Sequence, residues 1–333
     1  MSGKSGFDNF PNELYLSIFD YLNIIDILYS FSNLNYRINN LLKTYYRFTL
    51  KHVDLTKLNP NVFKYYCLEK QINNDIHSIK LNDYQFKYLT FSSNNRLIKL
   101  NLLLENDYYL HSKEQFIFEY LQILIVQHNA LTWKKPFIIC QNLKQVQIHL
   151  KNHFDLIELL NCLPIVEKVD ATINYDVNRE NCLTNNCYYS NKLIDFSYII
   201  HSNNGLVYFV TDYSIIESLV KQLNNLIKLR LYIIGCINTI IDGSRLENNL
   251  FNYLPKLEEF DFFIQSYGGY EIKSMDQFRS FKWNFASYTN QLTDMHFLFT
   301  LPFKFQRIDQ CINEYFIHGI KTTFQSKFTY LLY

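Results

Sequence analysis

"LIKLNL", residues 97–102, decides how this chain folds. Its order is apolar-x-x-apolar-x-apolar, and the last positions alternate as a strand with one buried face must. One such match means little in so apolar a chain. The order also appears as "IHSIKL" at 76, "LQILIV" at 121, "LKQVQI" at 143 and "VEKVDA" at 166. Taken in sequence, these five begin 21, 24, 22 and 23 residues apart, which marks a recurring strand-forming unit. Further matches are "LIDFSY" at 193, "LVYFVT" at 206, "LIKLRL" at 226, "LEEFDF" at 257 and "LTDMHF" at 292. Beyond 193 the spacing changes to 13, 20, 31 and 35 residues, so the later units either carry insertions or are not true units. Two units share a fuller phrase, "LPIVEKVDA" at 163 and "LPKLEEFDF" at 254.

Helical periodicity precedes several of these strands. "SKEQFIFEY" (112–120), "FDLIELLN" (154–161), "SIIESLVKQL" (214–223) and "RLENNLFNYL" (245–254) carry apolar residues at three- and four-residue steps. Strands alternating with helices predict an α/β fold with a parallel sheet. At these repeats the chain resembles a degenerate leucine-rich repeat. The resemblance implies a curved solenoid over residues 50–333 with the parallel sheet on its inner face. Of the asparagines usual three residues past the last apolar position, it keeps Asn129 and Asn174. The aromatic segment from about 276 to 333 is expected to cap the open end, and "TNNC", "NNGLVY" and "YGGYE" read as interrupting loops. The alternative is a mixed α/β domain without a true repeat.

Residues between the apolar strand positions point away from the core. That places Lys80, Lys99, Asn101, Gln145, Gln147, Lys168, Asp170, Lys228, Arg230, Glu259, Asp261 and His296 on the open face. Lys80, Lys99, Lys228, Arg230, Glu259 and Asp261 are the candidate partner-binding side chains. Their order predicts a face that is basic at Lys80 and Lys99 and at Lys228 and Arg230, and acidic at Glu259 and Asp261. A solvated sheet face is the other reading of each.

Ahead of the repeats stands "FPNELYLSIFDYLNIIDILYSF", residues 10–31. Pro11 and Glu13 suit the first turn of a helix. Leu14, Ile18 and Leu22 recur every four residues, flanked by Phe19 and Tyr21. Asp26 is placed to cap a second helix bearing Ile27, Leu28 and Phe31. "LNYRINNLLKTY" supplies a third with Leu34, Ile38, Leu41 and Leu42. Three helices this short bury too little surface to stand alone. Either the body of the chain or a partner must cover them.

The order Phe10-Pro11, Glu13-Leu14, Ile18-Phe19, Tyr21-Leu22, Asp26-Ile27-Leu28 and Phe31, with Leu34 through Leu41, resembles the F-box over residues 7–46. Phe10 stands where Leu is usual, and Arg37, Ile38 and Leu41 occupy a third helix that usually holds a Trp. The resemblance implies docking on the Skp adaptor of cullin-based SCF ubiquitin ligases, and through it on the cullin and RING subunits. It implies adaptor contacts from Pro11, Leu14, Ile18, Phe19, Leu22, Asp26, Ile27, Leu28 and Phe31.

Composition narrows the rest. Lys plus Arg number 32 against 31 Asp plus Glu, so a net charge of +1 gives no long-range pull toward nucleic acid or an acidic membrane. The polar start "MSGKSGFDNF" lacks a signal-type apolar run, and no stretch approaches the roughly 18 apolar residues of a span. Seven scattered cysteines suit reduced thiols in cytoplasm or nucleus. His149 and His153 stand four apart without a third ligand, and Cys182 and Cys187 lack a second pair, so no metal or cofactor is expected. There is no G-x-S-x-G, phosphate-binding glycine loop or H-E-x-x-H. Gly268-Gly269 reads as a turn, and Glu258 and Glu259 alternate faces. The expectation is a non-enzymatic substrate-recognition subunit of an SCF ubiquitin ligase. The alternative is a protein-interaction scaffold without a ligase.

Overall fold

Each described parallel strand with a quoted pattern starts two residues inside it, and one backbone arrangement accompanies the offset. In the computed structural model, the described residues are 10–22, 24–31, 34–49, 52–58, 60–63, 77–88, 97–104, 108–110, 120–128, 131–133, 141–174, 189–201, 213–237, 241, 243–267, 284–290 and 295–301. At six of these strand starts the carbonyl of the second pattern residue accepts hydrogen bonds from the second and third amides of the pattern on the neighbouring strand. His77 O takes Ile98 N and Lys99 N at 2.8 Å each, and Ile98 O takes Gln122 N and Ile123 N at 2.9 and 3.0 Å. The same pair of bonds recurs at Gln122, Glu167, Ile194 and Ile227. The first apolar residue sits just before the strand and is buried: Leu97, Leu121, Leu143, Val166, Leu193, Leu226 and Leu257.

The chain divides into two compact units, Met1–Ile148 and His149–Tyr333. In the first, three helices come first: α1 (Asn12–Tyr21), α2 (Ile24–Phe31) and α3 (Tyr36–Thr49). There follow β1 (His52–Asp54), α4 (Pro60–Phe63), β2 (Ser78–Asn82), α5 (Asp83–Tyr88), β3 (Lys99–Leu104), β4 (Tyr108–Leu110), β5 (Ile123–His128), β6 (Leu131–Trp133) and β7 (Gln145–Leu150), which runs across the division. β1, β2, β3, β5 and β7 pair in that order, all parallel. The register aligns Ile79, Leu100, Leu124 and Val146 in one buried row. At the start of α5, Asn82 Oδ1 accepts from Gln85 N at 2.9 Å, and Gln85 Oε1 accepts from Asn82 N at 3.1 Å. This reciprocal cap also ties down the segment after β1, since Asn82 Nδ2 donates to Thr56 O at 3.2 Å and Gln85 Nε2 donates to Leu55 O.

The second unit holds α6 (His153–Asn161), β8 (Lys168–Asn174), β9 (Asp195–His201), α7 (Tyr213–Val220), β10 (Lys228–Ile237), α8 (Gly243–Asn249), β11 (Glu259–Tyr267), β12 (Asn284–Asn290) and β13 (Met295–Leu301). β8 to β11 are parallel neighbours, with Val169, Phe196, Leu229 and Phe260 in one buried row. Helix then strand alternates as the periodicity predicts at α6, α7 and α8. The pattern at 206 and the helical segment at 112–119 lie outside the described residues, as do the loops "TNNC" and "NNGLVY" and most of the 276–333 segment.

Three expectations are corrected. The unit at 292 does not continue the parallel sheet: β13 runs antiparallel to both β11 and β12. Only residues 291–294 connect β12 to β13, and so short a link makes a hairpin, whereas a parallel return needs a dozen or more residues. Asp26 does not cap α2, which already begins at Ile24, so Asp26 sits exposed in its first turn. Leu34 is not in the third helix's buried stripe: Asn35 Oδ1 accepts from Ile38 N at 2.8 Å and starts α3 after it.

Consecutive helices of the second unit are joined by a partly buried ion pair. Arg245 of α8 donates to both carboxylate oxygens of Glu217 of α7, at 2.6 and 2.9 Å, with its guanidinium 5.3 Å from the centre of the Tyr213 ring. Glu217 is buried, and removing one partner of such a pair strands a charge in a low-dielectric site. Arg245→Met, which leaves the buried Glu217 carboxylate without its cation, is therefore expected to lower unfolding stability by about 3–5 kcal/mol, read from the urea midpoint. The double change Glu217→Leu with Arg245→Met should recover most of the loss.

Candidate functional site

Helix α1 carries more apolar surface than its neighbours cover. Tyr15 and Phe19 face inward and join Ile27 and Phe31 of α2 and Ile38 and Leu42 of α3 in one buried cluster. Phe19 and Phe31 meet edge to face at 5.0 Å, and Phe19 and Tyr45 at 5.2 Å. α3 holds α1 at both ends. Near the start, Arg37 donates to Asn12 Oδ1 at 3.0 Å and to Phe10 O at 2.6 Å. Near the finish, Tyr45 donates to Asp20 Oδ1 at 3.0 Å. Burial, and then Asp20, raise the Tyr45 pKa, so the phenol keeps the proton it donates. Both pins are 25 residues apart in sequence, which sets α1 and α3 parallel. Arg37 also supports the start of α1, whose N-cap Pro11 makes no side-chain hydrogen bond.

The residues assigned to adaptor contact separate on this geometry. Leu14, Leu22, Pro11 and Asp26 are exposed, with Leu14 at 40%. Ile18 is half-buried against the cluster. Phe19, Ile27 and Phe31 are not on an open face: they are the cluster, and they hold the three helices together. The Leu28 side chain lies outside the described residues. Tyr21, Tyr29, Leu34 and Tyr36 are also exposed, Tyr21 at 91% and Tyr36 at 82%. Six of the ten exposed large apolar side chains among the described residues thus fall between 14 and 36. Tyr29 and Tyr36 escaped the sequence reading because they stand off the four-residue stripes.

The charged sheet positions are the second candidate. In the first unit Lys80 pairs with Asp54 at 3.4 Å. Partial burial raises the Asp54 pKa, but hydrogen bonds from the Thr56 hydroxyl and amide, together with Lys80, outweigh it and hold the carboxylate below its ordinary value. Lys99 forms no ion pair among the described residues; its register neighbours are Ser78 and Ile123.

In the second unit the register makes a row Lys168, Asp195, Lys228, Glu259 and beside it a row Asp170, Ser197, Arg230, Asp261. Asp195 accepts from Lys168 at 3.2 Å and Arg230 at 3.0 Å, and Lys228 meets Glu259 at 2.7 Å. That last hydrogen bond raises the Lys228 pKa. The basic positions Lys168, Lys228 and Arg230 are therefore answered by Asp195 and Glu259 on neighbouring strands and do not stand as a separate basic patch. Asp261 is corrected from exposed to buried, at 7%. Both faces of β11 are covered around it, with Phe260 and Phe262 on one side and Phe263 stacked on Tyr232 at 4.8 Å on the other. Asn101, Gln145 and Gln147 are half-buried on the open face, and the His296 side chain lies outside the described residues.

Among the described residues no three His, Cys, Asp or Glu side chains converge as a metal site, and no helix is long and apolar enough to cross a membrane. His149 lies in β7 and His153 opens α6; Cys182 and Cys187 lie outside the described residues. No protein-family model matches the chain, and no curated protein matches it.

Asp170 stands out in this lattice. Burial raises its pKa, against the opposing pull of Arg230, the Ser197 hydroxyl and Lys168. The folded state then binds the proton more tightly than the unfolded chain. Stability falls as pH rises from the unfolded value near 3.9 to the raised folded value, and stays lower above it. Asp170→Asn is expected to raise the thermal midpoint at neutral pH. The gain should shrink as pH drops through that window and vanish below it, as thermal melts across pH will show.

Proposed function

We propose that the chain is the non-catalytic substrate-recognition subunit of a cullin-based SCF ubiquitin ligase. α1 to α3 dock on the Skp adaptor as an F-box, and the repeat body, a leucine-rich-repeat-like solenoid, binds the substrate. Holding a substrate near a ubiquitin-charged enzyme raises the effective concentration of its acceptor lysine, a task that needs two binding surfaces and no reactive group. One observation carries the reading. The three helices fill their own core and still leave Leu14, Tyr21, Leu22, Tyr29, Leu34 and Tyr36 in water. Clustered exposed apolar residues mark protein interaction sites. Leu14, Tyr21 and Leu22, in α1 and at its end, also stand at positions of the F-box resemblance.

Leu14 and Leu22 are 40% and 36% exposed, so covering what remains contributes about 1 kcal/mol each, and burying a carboxylate in their place costs further. Leu14→Asp with Leu22→Asp should therefore weaken binding of a Skp-type adaptor about a hundredfold or more, measured by titration calorimetry. Because both side chains are exposed, helicity by circular dichroism should hold. Phe19→Ala, by contrast, should loosen the three helices themselves. Undiminished adaptor affinity in the folded double variant would sink the F-box reading. Adaptor binding without recruitment of a cullin would favour a scaffold.

A further inference from the structure

The open face of the first unit's sheet is chemically unlike that of the second. From β8 to β11 it is a lattice of ion pairs in which Lys168, Arg230 and Lys228 are already answered by Asp195 and Glu259. A charged partner would have to break those pairs to use them. Across β3, β5 and β7 the face turned away from the core carries Leu103, Ile123 and Ile125, all half-buried. The core-facing side chains of the same strands are Leu100, Leu102, Leu124 and Val126. In register, Ile123 lies between Lys99 and Gln145, and Ile125 between Asn101 and Gln147. The result is an aliphatic strip bordered by amides, with two lysines at its edge: Lys80, beside Asn101, is taken up by Asp54, and Lys99 is left. That cation is not neutralised across the strands, since its neighbours are Ser78 and Ile123. Among the described residues, the Asn101 side-chain oxygen on the same strand finds no hydrogen-bond donor.

We propose that this strip is the docking site for an extended segment of a partner protein, one bearing apolar side chains and a single acidic group. The apolar side chains cover Leu103, Ile123 and Ile125, the segment's amides meet Gln145 and Gln147, and its carboxylate meets Lys99. The inference rests on the reading of the body as a substrate receptor and names the class of segment it takes. Complementary charge orients such a partner, and the buried aliphatic contact supplies most of the affinity.

The probe is a random peptide library displayed on phage and panned against the immobilised full chain. Enriched peptides are expected to combine aliphatic or aromatic residues with one Asp or Glu. Lys99→Glu should weaken the selected peptides about tenfold or more, and fresh panning on that variant should replace the acid by Lys or Arg. Ile125→Asp should abolish binding. Lys99→Glu changes only a half-exposed side chain and keeps the test valid should Ile125→Asp fail to fold. The Leu14→Asp, Leu22→Asp variant should bind the peptides as the parent does. If that holds while no adaptor binds the parent chain, the ligase reading fails and this site stands. No enrichment, enrichment without an acidic position, or peptides indifferent to Lys99→Glu would overturn the site.

Discussion

Everything in the repeat depends on one acceptor carbonyl at each strand start. Ile194 O, for example, takes the amides of both Ile227 and Lys228 at 2.9 Å. Two donors on one oxygen leave no room for a slip by one residue, and such a slip would turn every side chain to the opposite face. The buried row, the open row and the pairing of charges all follow from that lock. Pro255 sits in the turn that delivers Leu257 to it, with Leu257 N bonded to Leu254 O at 3.1 Å. The shared phrase at 163 and 254 is thus a turn followed by a strand start.

Much of this was legible in the residues. The apolar positions of the pattern are buried wherever they are described, and the near-constant spacing of the first units is the spacing of their strands. What was missed has physical causes. β1, β4 and β6 are three residues each, too short to show alternation. β12, "NFASYTN", mixes aromatic and polar residues without a clean period of two. The direction of β13 depends on the length of a connection, which the pattern does not encode.

The candidate sites were legible by face but not by partner. Alternation predicts that Lys228 and Glu259 point the same way, and says nothing of which side chain 31 residues away lies opposite. Register supplies that, and it turns a supposed charge gradient into a set of closed pairs. In the helices the stripe Leu14, Ile18, Leu22 was visible. Its division from Tyr15 and Phe19 depends on where α3 lies, and that is fixed by Arg37 and Tyr45. The apolar strip at Ile123 and Ile125 was overlooked because β5 reads as a nearly continuous hydrophobic run, in which neither face announces itself.

The antiparallel turn of β12 and β13 carries a consequence for how such a chain can change length over evolutionary time. Where the bond pair is seen, at His77, Ile98, Gln122, Glu167, Ile194 and Ile227, each strand start presents the same acceptor to its neighbour, so a duplicated or deleted unit of 21 to 24 residues there leaves both neighbours with the bonds they had. A fractional insertion is tolerated only if it loops out before the next strand start, as in the longer spacings after residue 193. β11 is different. It meets an antiparallel neighbour, whose donors and acceptors alternate in another order, so a further parallel unit has no place between them. Growth by whole repeats is open on one side of β11 and closed on the other.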